Sequence, residues 1–199
     1  MDLLILSKRA HQRDQAEQAT QVKALIGEKS LVLVGLMGCG KTAIGKRLAR
    51  HLSLPFVDAD EEIELAAAKS VAEIFQDHGE AYFRDRERLV ITRLLASGPQ
   101  VLATGGGAYM NDETRDTIKQ RGVSVWLRAE LPVLLRRVLR RDHRPLLKTG
   151  DPAKIMQRLM EERYPVYGLA DVCVESRDVA HEAIVAEIIK RLCAMPNLS

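Results

Sequence analysis

Leu31-Val32-Leu33-Val34-Gly35-Leu36-Met37-Gly38-Cys39-Gly40-Lys41-Thr42 decides the architecture of this chain. Its four leading aliphatic residues read as a buried parallel strand. The strand runs into Gly-x-x-x-x-Gly-Lys-Thr, the pattern of a phosphate-binding loop. Beyond it, Ile44, Leu48, Ala49 and Leu52 recur at helical spacing, so a helix starts where the loop ends. The order has a physical reason. Glycines let backbone N–H groups turn inward around a phosphate, the helix N-terminus adds partial positive charge, and Lys41 adds a full one. The Thr42 hydroxyl is placed to ligate a Mg²⁺ that bridges phosphates. A chance match of the four fixed positions is about a one-in-a-hundred event for a chain this long. The strand–loop–helix context lowers it further, and the stretch implies binding of a nucleoside triphosphate.

From this point the chain alternates. Leu31–Gly35 is strand one and Lys41–Leu52 the first helix of the body. Pro55 stops that helix, and Phe56–Asp60 is a short strand ending in carboxylates. Glu61–Leu95 reads as helical, broken near Lys69-Ser70 and Asp77–Gly79. Val101–Thr104 is a strand that empties into Gly105-Gly106-Gly107. Asn111 or Asp112 can cap a helix reaching Gln120. Val123–Leu127 is a fourth strand and Leu131–Arg140 a basic helix. Residues 142–150 read as a loop, Pro152–Tyr164 as a helix, Val172–Val174 as the last strand and Val179–Cys193 as the closing helix. Strands alternating with helices imply an α/β fold, a parallel sheet covered on both faces. Ligands in such sheets bind at the carboxyl ends of the strands. Here those ends carry Gly35–Thr42, Asp58 with Asp60, and Gly105–Gly107.

Composition fits one domain of 199 residues, 46% hydrophobic and 29% charged, with an aliphatic core because aromatics make up only 4%. A net charge of +3 is no nucleic-acid signature by itself. Cys39, Cys173 and Cys193 show neither metal spacing nor an even count, so neither a metal cluster nor a disulfide framework is expected. No apolar run approaches the roughly 18 residues needed to span a membrane. A cytoplasmic location follows as the expectation. Residues 1–29 are rich in Gln, Ala, Lys and Arg and read as an N-terminal extension, helical or disordered.

Three groups of residues carry chemistry. Asp58 and Asp60 end a strand close behind the phosphate loop, so one carboxylate can support Mg²⁺ while the other holds and deprotonates an acceptor hydroxyl. A helix N-terminus merely rich in acid is the bland alternative. Gly105-Gly106-Gly107 costs backbone entropy and packs nothing, which suits a backbone that a ligand must approach closely. Among the arginines most are solvated faces. Arg84 with Glu87 has the spacing of a helical ion pair, and Arg144 in a loop suits closure over phosphates. Arg136–Arg141 lacks the interleaved aromatics of a nucleic-acid surface.

Taken together, these motifs resemble the shikimate kinase family. The matching stretches are Gly-Leu-Met-Gly-Cys-Gly-Lys-Thr at 35–42, Asp-Ala-Asp at 58–60 and Gly-Glu-Ala-Tyr-Phe-Arg-Asp-Arg-Glu at 79–87. Thr-Gly-Gly-Gly-Ala at 104–108, Arg-Pro-Leu-Leu at 144–147 and Glu-Arg-Tyr-Pro-Val-Tyr at 162–167 complete the set. The resemblance implies a P-loop fold of the nucleoside monophosphate kinase type: a five-stranded parallel sheet sandwiched by helices. One kinase domain would span 30–195, with a helical substrate-binding insertion at about 59–95 and a mobile lid at about 141–152. The implied reaction is ATP-dependent phosphorylation of the 3-hydroxyl of shikimate, with Mg²⁺, on the way to chorismate and the aromatic amino acids. By the same resemblance Gly38, Cys39, Gly40, Lys41, Thr42 and Ala43 hold the nucleotide phosphates. Thr42 ligates Mg²⁺ and Asp58 supports it. Asp60 binds the shikimate hydroxyls and is the candidate base, with Lys41 and Arg144 as the other catalytic residues. Arg84 and Arg163 grip the shikimate carboxylate, and Glu87 orients Arg84. Gly105, Gly106 and Gly107 give backbone contacts, Arg144 reaches the phosphates from the lid, and Arg137 partners adenine. A monomer without nucleic-acid or membrane partners is implied. The rival readings are a gluconate-type sugar-acid kinase on the same fold and a non-catalytic nucleotide-binding relative.

Overall fold

The computed structural model describes residues 2–140 and 150–196, with side chains from residue 14 onward. Among these residues five strands form one parallel sheet in the order β2-β3-β1-β4-β5: β1 Ser30–Val34, β2 Phe56–Asp58, β3 Val101–Ala103, β4 Gly122–Arg128 and β5 Val172–Glu175. Leu31 pairs with Val101 on one side and Val123 on the other, so the phosphate-loop strand is central. Every residue of β1 is buried, as its unbroken aliphatic run requires. From β1 the chain leaves toward the β2 edge, and from the neighbouring β4 toward the β5 edge. Connections that diverge in this way open a crevice at the carboxyl ends of the two strands.

The helices are α1 Asp2–Ile26, α2 Lys41–Leu52, α3 Ala59–Ala67, α4 Val71–Leu95, α5 Asp112–Arg121, α6 Leu131–Leu139, α7 Pro152–Tyr167 and α8 His181–Cys193. A capping box built by Ser70 and Glu73 starts α4. Strand two ends two residues earlier than its sequence suggests. Asp58 is the N-cap of α3, its Oδ1 accepting from the Asp60 N–H at 3.1 Å, so Asp60 belongs to the first helical turn. The break expected near Gly79 is a kink within α4 rather than an end: Gly79 has φ 78° and ψ 176°, and the helix resumes beyond it. Asn111 caps α5, its Oδ1 accepting from the Thr114 N–H at 2.9 Å. The start of β5 is tied to β4 by Asp171, whose Oδ2 accepts from the Ser124 N–H and Oγ at 2.8 and 2.7 Å.

Residues 2–26 form α1, which packs on α2 and α8. Val22 is 0% exposed and Ile26 3%, and both join the main core. A chain lacking residues 1–28 is therefore expected to lose at least about 3 kcal/mol of burial. That converts to a fall of about 6–12 °C in Tm for a chain of this size. Turnover at low temperature should hold within a few-fold, since no proposed site residue lies in α1. Thermal unfolding of the truncated and full chains checks this, and an unchanged Tm would show that α1 contributes nothing to the core.

Candidate active site

A cleft of about 450 Å³ opens over the carboxyl end of β1. Its wall includes Gly38, Gly40, Lys41, Thr42, Asp58, Asp60, Gly106 and Arg137. The sheet and the phosphate loop bring these together from four segments of chain. Gly40, the residue before α2, has φ 100°, a conformation glycine adopts without steric cost. The first turn of α2 carries no acidic residue, so its partial positive charge is left unneutralised toward the cleft. The Lys41 ammonium lies over the loop and donates to the carbonyls of Gly35 and Leu36 at 2.7 and 3.1 Å.

Thr42 and Asp58 meet directly. Thr42 Oγ1 donates to Asp58 Oδ2 at 2.9 Å, while the other Asp58 oxygen caps α3. A hydroxyl and a carboxylate oxygen side by side, facing a phosphate site, are the donor set of a hard cation that keeps most of its waters. Among the described residues no cluster of three or more His, Cys, Asp or Glu could hold a metal alone. A metal held by Thr42 and Asp58 would take its other ligands from phosphate oxygens and water.

Two residues of the triple glycine are explained by their neighbours. A Cβ on Gly105 would collide with Glu87 Oε1 and stand 2.8 Å from Asp60 Oδ1. A Cβ on Gly107 would collide with the Arg84 guanidinium. Gly105 and Gly107 are needed because the site's own side chains press on this backbone, whereas a Cβ on Gly106 would meet nothing closer than 3.6 Å. The Gly105 and Gly107 carbonyls accept from the N–H groups of Ala108 and Met110. The Gly106 carbonyl accepts from Arg163 Nη1 at 2.9 Å and also from the Tyr167 hydroxyl.

Arg84 and Glu87 stand one turn apart on α4, with Arg84 Nη1 to Glu87 Oε2 at 2.7 Å. Glu80 adds a second carboxylate at 3.2 Å. Glu87 is 2% exposed. Burial pushes its carboxyl above the usual glutamate range, the Arg84 guanidinium opposes this, and the Asp60 charge adds to it. Burial works against the charge of Arg84, but Glu87 and Glu80 outweigh it and hold the guanidinium above its ordinary value.

Behind Gly106 lies an aromatic layer. Trp126 of β4 meets Tyr164 edge-on at 5.0 Å and Tyr167 at 6.0 Å. The Tyr164 hydroxyl donates to the Ala129 carbonyl. Burial raises the Tyr164 hydroxyl to about 12 and pushes Tyr167 higher still, so both stay donors at any physiological pH. Tyr164 and Tyr167 lie in the quoted 162–167 stretch, but neither was singled out from sequence. Tyr167 falls one helical turn after Arg163, which was a usable sign that both face the same backbone.

Arg137 lines the cleft and donates to the Gly38 carbonyl, Ser176 Oγ and the Arg177 carbonyl at 3.4, 2.9 and 2.6 Å. Arg144 and most of the expected lid lie outside the described residues.

The profile of the shikimate kinase family matches residues 37–193. The chain belongs to the shikimate kinase family. A Rhodopseudomonas palustris shikimate kinase is 54% identical over 186 residues, 92% of each chain. A shikimate kinase from Acinetobacter baumannii, solved in complex with shikimate, superposes with a TM-score of 0.81 at 35% identity, covering 86% of this chain and 96% of that one. A gluconokinase from Sinorhizobium meliloti superposes with a TM-score of 0.52 at 20% identity, covering 83% of this chain and 91% of that one, a likeness of fold alone. The P-loop fold of the nucleoside monophosphate kinase type, the kinase activity and ATP as co-substrate follow for this member of the family.

Proposed function

We propose a division of labour in this cleft for the reaction of the family, phosphorylation of the 3-hydroxyl of shikimate by ATP to give shikimate 3-phosphate and ADP. The observation that carries it is the meeting of Asp60, Glu87, Arg84 and Arg163 on one glycine turn, beside the phosphate loop. An anionic polyol needs guanidinium forks for its carboxylate and a carboxylate for its hydroxyls. Arg84 and Arg163 supply the forks. Glu87 and Glu80 hold Arg84 in place, and the Gly106 carbonyl holds Arg163.

Asp60 accepts a hydrogen bond from the 3-hydroxyl and takes its proton as the oxygen attacks the γ-phosphorus. The bond from phosphorus to the ADP oxygen breaks in the same displacement. Gly38–Ala43 bind the phosphates through backbone N–H groups, and Lys41 follows the charge as it moves toward ADP. Thr42, and Asp58 through water, would hold Mg²⁺, which when bound would supply neutralisation of phosphate charge. The N–H groups of Gly105–Gly107 face the substrate. The flat guanidinium of Arg137 offers a surface to adenine, and Arg144 reaches the phosphates from the lid. The kinase domain spans 30–195, with α3 and α4 as its substrate-binding insertion.

A monomer in the cytoplasm without nucleic-acid partners completes the reading. Two members of the basic cluster are engaged within the protein: Arg136 is paired with Asp178 at 3.1 Å and Arg137 is bound to protein oxygens. No helix among the described residues is long and apolar enough to cross a membrane.

The test is substrate affinity. A charge-assisted hydrogen bond contributes roughly 1.5–3 kcal/mol. Arg84→Ala or Arg163→Ala should then weaken shikimate binding about ten- to a hundredfold and leave ATP binding nearly unchanged. Lysine at either position should recover only part of the loss, because a point charge lacks the fork. Calorimetric titration of each variant with shikimate and with ATP reads both. Arginine variants that bind shikimate normally but lose ATP would reverse the two ends of the cleft. ADP release measured across shikimate, gluconate and nucleoside monophosphates separates the family reaction from that of a sugar-acid kinase.

A further inference from the structure

Ser176 directly follows β5 and is 0% exposed. Its backbone N–H donates to the Arg128 carbonyl at 2.6 Å, which fixes it against the end of β4. Its Oγ donates to the Cys39 carbonyl at 2.7 Å and accepts from Arg137 Nη1 at 2.9 Å. The hydroxyl thus spends its one proton on the phosphate loop and takes another from a side chain of the cleft wall.

We propose that Ser176 is a positioning residue for nucleotide phosphates, holding the Cys39–Gly40 peptide so that the Gly40 N–H faces the cleft. The argument rests on peptide planarity. A trans peptide directs its C=O and N–H to opposite sides, and none of the described bonds is cis. Pinning the Cys39 carbonyl on the Ser176 side therefore aims the Gly40 N–H the other way. The loop needs such a hold. Gly38 and Gly40 have φ 82° and 100°, and glycines impose little preference on the peptides they flank. Two further contacts stiffen the same wall: Arg137 reaches the Gly38 carbonyl at 3.4 Å, and its other nitrogen reaches the Arg177 carbonyl at 2.6 Å. Ser176 touches no reacting atom and acts through the loop. The inference rests on the assignment of Gly38–Thr42 to the nucleotide phosphates.

The test uses ADP and adenosine, which differ only in the phosphates. Both are titrated calorimetrically into the full-length protein, Ser176→Ala and Ser176→Cys, at a temperature where circular dichroism shows each folded. Ser176→Ala should lose about tenfold in ADP affinity, with adenosine moving less than about twofold. Ser176→Cys keeps the size with a weaker donor, so it should lose ADP affinity severalfold, and it carries the test if the alanine variant does not fold. Unchanged ADP affinity in either folded variant overturns the proposal. Equal losses for ADP and adenosine also overturn it, since the hydroxyl would then serve the base side through Arg137 and Arg177. If the unaltered protein binds ADP no better than adenosine, it is the phosphate assignment itself that fails.

Discussion

Asp60→Asn is expected to lower turnover about 10²- to 10⁴-fold, the range a positioned general base contributes, while shikimate affinity falls far less. Asparagine keeps the volume and can still hydrogen-bond a hydroxyl, so the ground-state complex should survive. The proton acceptor is lost. The position of the Asp60 carboxylate is set by its neighbours. It stands in the first turn of α3, where the helix dipole favours a negative charge, and its Oδ1 closes on the Gly105 backbone beside Glu87. Turnover by coupled ADP release and shikimate affinity by calorimetry have to be measured separately. Near-normal turnover in a folded Asp60→Asn protein would remove Asp60 from the role of base.

Lys41→Ala should reduce phosphoryl transfer by at least about 10²- to 10³-fold, the loss typical of one preorganised donor to developing charge. The fold should persist. Lys41 opens α2 with its ammonium on the Gly35 and Leu36 carbonyls, and alanine is the strongest helix former. Those carbonyls lose a donor, so some stability is expected to go with the activity. Circular dichroism together with the ADP-release assay distinguishes inactivity from unfolding. A folded Lys41→Ala protein with ordinary turnover would contradict the assignment of this charge to the phosphates.

Much of this site is legible in the chain because local rules and global fold agree. The run Leu31–Val34 reads as a buried strand, and Gly-x-x-x-x-Gly-Lys-Thr sets the loop and helix after it. The sheet therefore followed from alternation, and the placement of Thr42 near Asp58 from the spacing of strand ends. What stayed hidden depended on contacts between distant segments. Asp60 reads as a strand residue until its N–H is seen bonded to the Asp58 carboxylate in the first turn of α3. The pressure of Glu87, Asp60 and Arg84 on Gly105 and Gly107 is one such contact. Ser176 leaves no periodic or motif signal, since its partner Cys39 lies 137 positions away. The packing of Val22 and Ile26 was obscured because α1 is mostly polar, and a few apolar residues give a faint helical stripe.

The aromatic layer behind Gly106 has an optical consequence. Trp126 is the chain's sole tryptophan, so intrinsic fluorescence excited at its absorption edge comes from one place. The residue is 7% exposed, and its indole N–H has no hydrogen-bond partner among the described residues, conditions that favour short-wavelength emission. The ring edge rests on Tyr164, the residue next to Arg163, and Tyr167 bonds the same carbonyl as that arginine. The fluorophore is thereby coupled to the end of α7 proposed to grip the acceptor's carboxylate. Emission from the unlabelled protein is expected to shift as that end of the cleft fills, a readout that needs neither a coupled enzyme nor turnover.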